Sequence, residues 1–341
     1  MRAAVLKENY RIVLEDVKEP SPQPGEVKIQ VRVTGICGSE VHAFKGTHPY
    51  RKPPVILGHE LAGDIVEVGR DVEGLKLGDR VIVEPQIGCG RCSLCRQGLN
   101  NLCNDKIVLG TKEWPGSFAE YITAPQKVVY PLPEGLSYEE GAMVEPLAVG
   151  VHAVRWAEMG LGDSVLVLGA GTIGLVTIMA ARQAGARRIF ATDVLDFNLA
   201  KAKELGATHT INVRKEDAAA IVLEETKGKG ADVAFITAAV SPVVEQALQA
   251  VKKRGKALLI GFFEGPANDL EIFPLTSKEI DLRGCLMYTA EGFQNTLDMV
   301  AEGCLDGRPL ITEVLDIAQA QEGLEVMDKR TRDAVKILLK F

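Results

Sequence analysis

The sequence predicts a mainly β region that ends near residue 145, followed by an α/β region built on a parallel sheet. Two observations indicate these classes. Residues 1–145 contain short runs rich in Val and Ile, such as KIQVRVTGI and DRVIVEP, between turns rich in Gly and Pro. From about residue 146 to residue 286, apolar segments alternate with helical patterns, and this order implies right-handed crossovers between parallel strands.

The α/β region contains six predicted strands, each marked by a short apolar run. In chain order these runs are SVLVL, RRIFATD, HTINV, DVAFIT, KALLIGF and LRGCLMY. Helical segments lie between them, from TIGLVTIMAARQAGA to PVVEQALQAVKKRG. After residue 286 the chain continues with the helical pattern EGFQNTLDMVAEG and ends in KILLKF.

The composition is that of a globular protein with two domains. The 341 residues are more than one hydrophobic core usually organises, and 46% of them are apolar and 25% charged. The net charge is −7, whereas a nucleic-acid-binding protein would need a basic face. We therefore expect no nucleic-acid partner.

Two segments bear on membranes and targeting. The N-terminal MRAAVLKENY lacks the apolar core of a signal peptide. Residues 165–181 carry no charge, but the stretch is shorter than the ~20 residues needed to span a bilayer and contains three glycines. We expect no membrane partner, a cytoplasmic location and a reducing compartment.

The segment GAGTIG at residues 169–174 matches the dinucleotide-binding pattern G-x-G-x-x-G. It follows a predicted strand and opens a predicted helix, and the next strand ends at Asp193. The glycines would let the backbone approach a pyrophosphate resting on the helix N-terminus. Asp193 would accept hydrogen bonds from the adenosine ribose and repel a 2′-phosphate, which favours NAD over NADP. The alternative is a glycine turn with no ligand. The predicted cofactor-binding residues are Gly169, Gly171, Thr172, Ile173, Gly174 and Asp193.

The segment GCGRCSLCRQGLNNLC concentrates four of the seven cysteines: Cys89, Cys92, Cys95 and Cys103. In a reducing compartment, clustered cysteines indicate a metal site rather than disulfides. Four thiolates would close a tetrahedron around Zn²⁺ and leave no position for substrate, so this site would be structural. An iron–sulfur cluster and a thiol cluster without metal are the alternatives.

Other potential metal ligands and proton carriers lie outside this cluster. Taken singly, each has an ordinary explanation, since a lone Cys is usually a small core residue and a lone Glu is often a surface charge. These candidates are Cys37, Ser39 and His42 in GICGSEVH, His59 and Glu60 in LGHELAG, and Glu145 in GAMVEPLAVG.

Together these motifs resemble the zinc-dependent medium-chain dehydrogenase/reductase family over essentially the whole chain. The pattern G-H-E-x2-G-x5-G occurs in full from Gly58 to Gly69, and C-G-S-E-V-H resembles the catalytic cysteine motif of that family. The four-cysteine segment and GAGTIG follow in the family's order. Glu145 and Pro146 stand where typical alcohol dehydrogenases have a cysteine ligand, which resembles the polyol branch with its sorbitol, threonine and butanediol dehydrogenases.

The resemblance implies a GroES-like catalytic domain at residues 1–145 and 287–341, with a structural zinc lobe at residues 88–103. It implies a Rossmann NAD-binding domain at residues 146–286. The fold class is therefore an α/β Rossmann domain plus a mainly β GroES-like domain. Two zinc ions per chain, NAD, a small-molecule alcohol substrate and a homo-oligomer (tetramer or dimer) are implied as well.

The resemblance also implies a catalytic zinc on Cys37 and His59, with Glu60 or Glu145 near or on the metal. One thiolate, one neutral His and one carboxylate offset the charge of Zn²⁺ and leave the fourth position for water or alcohol. Ser39 would take the hydroxyl proton, and His42 would pass it to solvent through the nicotinamide ribose. Zinc would act as a Lewis acid, and hydride would go to the nicotinamide.

Two positions depart from the family pattern. Residue 40 is Glu where many relatives have Asp, and Met287 precedes Tyr288 where sorbitol dehydrogenases often have Arg. The missing Arg argues against sorbitol itself as the substrate. The leading hypothesis is an NAD- and zinc-dependent dehydrogenase of a secondary alcohol, a polyol or sugar-derived alcohol. L-threonine 3-dehydrogenase, 2,3-butanediol dehydrogenase and a non-catalytic dinucleotide-binding sensor are the alternatives.

Overall fold

The computed structural model describes residues 1–238, 240–263 and 270–341. The chain divides into two compact units: unit 1 contains Met1–Glu145 and Thr289–Phe341, and unit 2 contains Pro146–Tyr288. The expected divisions were after residues 145 and 286. Among the described residues, no helix combines the length and the apolar character that crossing a bilayer requires.

The strands and helices, numbered in chain order, have the following bounds. The strands are β1 (Arg2–Glu8), β2 (Arg11–Asp16), β3 (Glu26–Gly35), β4 (Val55–Ile56), β5 (Glu60–Val68), β6 (Arg80–Val83), β7 (Gln86–Ile87), β8 (Ile107–Val108), β9 (Tyr121–Pro125), β10 (Val129–Pro131), β11 (Ser164–Leu168), β12 (Arg188–Asp193), β13 (His209–Asn212), β14 (Ala231–Ile236), β15 (Val251–Leu259), β16 (Asp281–Gly284), β17 (Ile311–Asp316) and β18 (Lys336–Lys340). The helices are α1 (Gly38–Lys45), α2 (Ser93–Arg96), α3 (Tyr138–Trp156), α4 (Thr172–Gln183), α5 (Asp196–Glu204), α6 (Ala218–Glu225), α7 (Ser241–Ala250), α8 (Phe273–Ser277), α9 (Ala290–Ala301) and α10 (Ala320–Lys329).

Unit 1 is mainly β. Its largest sheet has the order β10-β6-β5-β3-β18-β17, with β9 also paired to β3. Strand β3 alternates buried Val and Ile with more exposed polar residues over most of its length, so one face of the strand packs into the core. The C-terminal strand β18 pairs antiparallel with β3, with Leu338 opposite Gly35. This pairing brings the end of the chain to the segment that precedes Cys37.

Unit 2 is an α/β sandwich around a six-stranded sheet with the order β13-β12-β11-β14-β15-β16. All neighbouring strands in this sheet are parallel. When the six strands are numbered along the chain, their order across the sheet is 3-2-1-4-5-6, which is the doubly wound order of dinucleotide-binding domains. Every residue of β11 is buried, as expected for a central parallel strand covered on both faces. The α/β prediction for this part of the chain is confirmed.

One predicted boundary in unit 2 is wrong. The pattern PVVEQALQAVKKRG predicts a helix through Gly255, but α7 ends at Ala250 and β15 begins at Val251. The register of β15 against β14 shifts between Ala231 and Val233, and Arg254 has a φ of 56°. This irregularity places the polar residues of VKKRG in the strand, so their helical spacing was misleading.

Candidate metal centres and dinucleotide turn

The four clustered cysteines converge in unit 1. One sulfur from each of Cys89, Cys92, Cys95 and Cys103 lies within 4.8 Å of the others. The Sγ atoms of Cys92 and Cys103 are 4.0 Å apart, close to the ~3.8 Å expected between two ligands of a tetrahedral zinc. All seven cysteines lie within the described residues, and none forms a disulfide.

The environment of these sulfurs favours a dication. Backbone N–H groups of Arg91 and Cys92 lower the pKa of Cys89 to about 6. Burial and the neighbouring sulfurs raise the pKa of Cys95 to about 12. Four thiols at this distance cannot all ionise beside one another, so full deprotonation requires a bound cation. The residues present fit a closed zinc site.

A buried carboxylate anchors this cysteine lobe to the sheet. Glu84 at the end of β6 accepts a hydrogen bond from Asn100 Nδ2 at 2.8 Å and another from Tyr130 at 3.1 Å. The Asn100 side-chain oxygen in turn accepts from the backbone N–H of Ala290 at 3.1 Å. The lobe is therefore held by polar contacts from β6, β10 and the start of α9.

The second group of potential ligands begins at the N-terminus of α1. Cys37 is the N-cap residue of α1, and its side chain accepts from the backbone of Glu40 while its backbone N–H donates to the Glu40 carboxylate at 3.1 Å. The first turn of a helix favours negative charge, which suits a thiolate ligand at this position. Gly46, with φ 82°, ends the helix in the left-handed conformation.

His59 lies immediately before β5 and is held by Glu40. The Nδ1 atom of His59 lies 2.7 Å from Glu40 Oε1, and both side chains are buried. This contact fixes the ring and leaves Nε2 available as a metal ligand, the arrangement seen when a carboxylate orients a zinc-bound His. Burial alone would raise the pKa of Glu40, but the charges of His59 and Arg51 outweigh it and lower the pKa to about 2. Glu40 thus fills the supporting position where many relatives have Asp.

Arg51 also belongs to this cluster, although no sequence pattern singled it out. Its side chain is 3% exposed, and its Nη1 atom donates to Ser39 Oγ at 2.6 Å and to Glu40 Oε1 at 3.1 Å. Its Nη2 atom donates to the carbonyl oxygen of Leu109 at 3.1 Å. In sequence, Arg51 is one of several charged residues in a polar loop, and only the tertiary structure distinguishes it from a surface cation.

Glu60 and Glu145 lie beside His59 but have different surroundings. One ligand atom from each of His59, Glu60 and Glu145 falls within 4.8 Å of the others, and all three residues are buried. Both carboxylate oxygens of Glu60 accept from Lys336 Nζ at 2.7 Å. Burial would lower the pKa of Lys336, but the Glu60 carboxylate outweighs it and raises that pKa. Lys336 lies 276 positions from Glu60 in β18, and the sequence analysis missed it.

The two predicted proton carriers differ in their contacts. Ser39 lies in the first turn of α1, and its hydroxyl accepts from Arg51. His42 is partly buried on the same helix, and its Nδ1 atom lies 3.4 Å from the hydroxyl of Thr47. The structure thus brings Ser39 into the Glu40–His59 cluster, whereas His42 contacts Thr47, just beyond the end of its own helix.

The glycine turn in unit 2 has the geometry that a dinucleotide requires. Gly169 follows β11 with a φ of 99°, and Gly171 is the N-cap of α4. A Cβ on Gly174 would lie 1.8 Å from the Gly169 carbonyl oxygen, so only Gly permits this close approach of helix and strand. Within the part of the chain that the structure describes, and apart from the adjoining residues, no atom lies within 4 Å of a Cβ built on Gly171, so the backbone there has space beside it.

Asp193 is tied directly to this turn. Its Oδ2 atom accepts from the backbone N–H of Ala170 at 2.8 Å and from Asn198 Nδ2 at 3.2 Å. Its Oδ1 atom accepts from the backbone N–H groups of Val194 and Leu195 at 2.8 and 2.9 Å. The carboxylate is therefore fixed between the ends of β11 and β12. Asn198 is a supporting contact that the sequence analysis missed.

Both units match known sequence families. Residues 23–134 match the profile of the alcohol dehydrogenase GroES-like domain, and residues 172–302 match that of the zinc-binding dehydrogenase domain. The chain is similar to sorbitol dehydrogenase of Bacillus subtilis, with 36% identity over 99% of this chain and 97% of that protein. It is also similar to L-idonate 5-dehydrogenase of Vitis vinifera, with 39% identity over 94% of this chain and 90% of that protein.

Solved structures agree with these matches. The crystal structure of an oxidoreductase/dehydrogenase of unknown specificity from Escherichia coli has a TM-score of 0.94 and 34% identity, and covers 99% of this chain and 98% of that one. The predicted combination of a GroES-like domain and a Rossmann domain is confirmed. The chain therefore belongs to the zinc-dependent medium-chain dehydrogenase/reductase family and is an oxidoreductase.

Proposed function

We propose that this protein is an NAD-dependent dehydrogenase that oxidises a secondary alcohol of a polyol or sugar-derived alcohol to a ketone. The observation that carries the proposal is a pair of potential ligand groups that share His59: Cys37, Glu40 and His59 form one group, and His59, Glu60 and Glu145 form the other, with one ligand atom of each residue within 4.8 Å of the others in its group. Support for the substrate class comes from the similarity to a sorbitol dehydrogenase and an L-idonate 5-dehydrogenase.

Among the two carboxylates near His59, we propose Glu145 as the third ligand of the catalytic zinc, with Cys37 and His59. The Glu60 carboxylate is compensated by Lys336, which contacts both of its oxygens. Cys37 as thiolate, neutral His59 and ionised Glu145 together carry two negative charges, which match Zn²⁺ and leave a fourth position for the substrate. Cys89, Cys92, Cys95 and Cys103 would hold a second, structural zinc.

When bound, zinc supplies Lewis-acid polarisation of the alcohol oxygen, and NAD supplies the hydride acceptor. Ser39 Oγ would accept the hydroxyl proton while its own proton passes through the nicotinamide ribose to His42 and then to solvent. The balanced reaction is alcohol plus NAD⁺ to ketone, NADH and one proton. Glu40 would keep His59 oriented during this reaction through its hydrogen bond to Nδ1.

Cofactor binding would use the turn at Gly169, Gly171 and Gly174 with the first residues of α4, Thr172 and Ile173. The N-terminus of α4 suits a pyrophosphate because it carries the positive end of the helix dipole, and the Asp193 carboxylate suits the two ribose hydroxyls of NAD. A 2′-phosphate at that position would meet a fixed negative charge. These contacts support NAD over NADP as the preferred cofactor.

We further propose a homo-oligomer, a dimer or a tetramer, in the cytoplasm. This rests on the family resemblance and on the reducing compartment that thiolate ligands require. The molar mass in solution, measured by light scattering, tests the oligomer: a monomer at micromolar concentration would contradict it.

A substrate panel tests the function directly. The zinc-loaded protein is incubated with NAD and with polyols, sugar acids, 2,3-butanediol or L-threonine, and NADH absorbance is followed. We expect the highest kcat/KM for a polyol or sugar-derived alcohol, and no turnover by His59→Ala. Higher kcat/KM for L-threonine or 2,3-butanediol would favour those alternatives. NAD binding without turnover of any alcohol would favour a non-catalytic sensor.

A further inference from the structure

We propose that Arg51 is a positioning residue of the dehydrogenase site, in which one buried guanidinium holds both the Ser39 hydroxyl and the Glu40 carboxylate that orients His59. The catalytic role of these contacts rests on the proposed function, whereas the positions of the side chains rest only on the hydrogen bonds of the structure. It couples the proton-accepting group to the histidine ligand through a residue outside the proposed ligand set.

The contacts of Arg51 fix its side chain on three sides. Nη1 donates to Ser39 Oγ at 2.6 Å and to Glu40 Oε1 at 3.1 Å, and Nη2 donates to the Leu109 carbonyl at 3.1 Å. Its backbone N–H donates to His48 Nδ1 at 3.2 Å, which secures the loop that carries it. A long flexible side chain thus has one defined position, 97% removed from solvent.

The guanidinium determines the role of the Ser39 hydroxyl. Arginine has five N–H donors and no acceptor, so Ser39 Oγ must accept in the 2.6 Å contact. One lone pair of Oγ is thereby used, and the hydroxyl proton is directed away from Arg51. Ser39 Oγ donates its own proton to Glu40 Oε2 in a long contact of 3.5 Å and keeps one further lone pair, so it has both the proton and the acceptor that a proton-transferring hydroxyl needs. A positive charge at this distance also stabilises negative charge that develops on the oxygen during transfer.

The same cation balances the charge of Glu40. This carboxylate is fully buried, contacts His59 Nδ1 at 2.7 Å and would be an uncompensated charge without Arg51. Lys336 provides the parallel case on the other side of His59, where it balances Glu60. Glu40 and Glu60 are the buried carboxylates beside the proposed ligands, and each is therefore paired with a buried cation.

The guanidinium of Arg51 holds Ser39 and Glu40 with one nitrogen and the Leu109 carbonyl with the other. Its planar fork reaches Ser39, Glu40 and Leu109 with two nitrogens, whereas the single ammonium of lysine has no fork. Lysine at this position would retain the charge beside Glu40 but would lose the second nitrogen that holds the Leu109 carbonyl and fixes where the charge lies. The two functions of Arg51, charge balance and positioning, can therefore be separated by substitution.

The experiment compares Arg51→Met, Arg51→Lys and the control Arg80→Met. Arg80 is a partly buried arginine of unit 1 that donates to the Leu136 carbonyl and lies over the Tyr138 ring, outside the proposed site. Three quantities are measured: zinc retained per chain during dialysis against a chelator, thermal midpoint, and kcat and KM for the best alcohol of the panel.

We expect Arg51→Met to lower kcat on the order of 10²-fold with little change in KM, and to lose one zinc per chain about 10- to 100-fold faster than the wild type. Arg51→Lys should retain zinc nearly as well as the wild type but recover only part of kcat. Arg80→Met should match the wild type in both zinc retention and kcat. A double-mutant cycle with Ser39→Ala should show that Arg51→Lys costs less than about threefold in kcat when the hydroxyl is absent.

Three outcomes would overturn the proposal. One is wild-type kcat and zinc retention in Arg51→Met. Another is a lowered thermal midpoint as the sole effect in both Arg51 variants. The third is a double variant Arg51→Lys/Ser39→Ala whose loss of kcat equals the product of the losses in the two single variants. If the wild type oxidises no alcohol, the proposed function fails, and the zinc-retention measurement alone then decides the role of Arg51.

Discussion

At the scale of single residues, the candidate zinc site contains buried charges in matched pairs. Glu40 contacts Arg51, and Glu60 contacts Lys336, all four with side chains at most 3% exposed. Removing one member of such a pair leaves an unpaired buried charge, which costs about 3–5 kcal/mol, whereas removing both can be nearly neutral. Experiments on this site therefore need paired substitutions to separate stability from metal binding.

The first prediction concerns the third zinc ligand. We expect Glu145→Gln to lose the catalytic zinc on dialysis against a chelator and to abolish turnover, because one of the two negative charges that match Zn²⁺ is removed. The double variant Glu60→Gln/Lys336→Met removes a compensated pair and should retain two zinc ions per chain. Zinc content and NADH production check both variants. The reverse result would identify Glu60 as the ligand.

The second prediction concerns acid stability. His48 is buried, and its Nδ1 atom accepts from the backbone N–H of Arg51 at 3.2 Å, so the folded state requires the neutral ring. Burial, and next the charge of Arg51, lower the pKa of His48 to about 4. An unfolded chain binds the proton near pH 6.5, so the free energy of unfolding should fall as the pH falls from about 6.5 to 4.

The measurement is urea unfolding of wild type and His48→Asn at pH 7 and pH 5, with zinc present. Asparagine supplies an acceptor that does not titrate. The wild type should lose roughly 1 kcal/mol more than the variant between these pH values. Equal pH dependence of the two proteins would show that His48 is not the titrating group.

At the scale of elements, the C-terminal ends of β11 and β12 and the start of α4 form one connected substructure. Asp193 joins them, since its carboxylate accepts from the backbone on both sides of the crossover, at Ala170 and at Val194. The position of this carboxylate is therefore set by backbone geometry before any cofactor binds. Its negative charge is the feature that would distinguish NAD from NADP.

The third prediction tests this element. In Asp193→Asn we expect the ratio of kcat/KM for NADP to that for NAD to rise at least about tenfold, because the charge that would repel a 2′-phosphate is removed. Using a ratio cancels any general weakening of nucleotide binding. Asp196→Asn is the control, because Asp196 is exposed on the same turn and pairs with Lys215. A wild type that uses both cofactors equally would contradict the role of Asp193.

At the scale of the whole molecule, the two proposed zinc sites lie in unit 1 but serve different purposes. The four sulfurs of the cysteine cluster lie close together, and a metal bound there would be closed to substrate and would hold the lobe in shape. The site at His59, next to the start of β5 and near the β3–β18 pairing, would keep a position for substrate. Loss of one metal should therefore affect folding, and loss of the other should affect chemistry.

The fourth prediction separates these effects. Cys95→Ser should lower the thermal midpoint and zinc content, because the structural metal contributes folding free energy. His59→Ala should leave NAD binding intact, since the predicted dinucleotide contacts are residues of unit 2, and should abolish turnover. Ser39→Ala should retain zinc and lose about 10²–10⁴-fold in rate. The assignment is reversed if Cys95→Ser abolishes turnover at unchanged stability while His59→Ala unfolds the protein.

Local patterns in the sequence predicted a mainly β region followed by a parallel α/β region, and they singled out the glycine turn and the clustered cysteines; the resemblance of these motifs to a family added the domain types. The cysteine spacing and GAGTIG act over short distances, so each motif largely defines its own geometry: Gly174, for example, is required by an atom only five residues away. Zinc and a nicotinamide cofactor follow from these motifs, whereas the residue-by-residue assignment of the catalytic ligands stays a prediction.

Only the tertiary structure decided how the charges of the site are paired. Lys336 contacts Glu60 because β18 pairs with β3, and Arg51 reaches Ser39 and Glu40 because its loop folds back on the first turn of α1. Neither cation differs in sequence from a solvated lysine or arginine. Whether a charged side chain is buried, and which residue it contacts, depends on how separate segments of the chain fold together. A local sequence pattern therefore cannot predict either property.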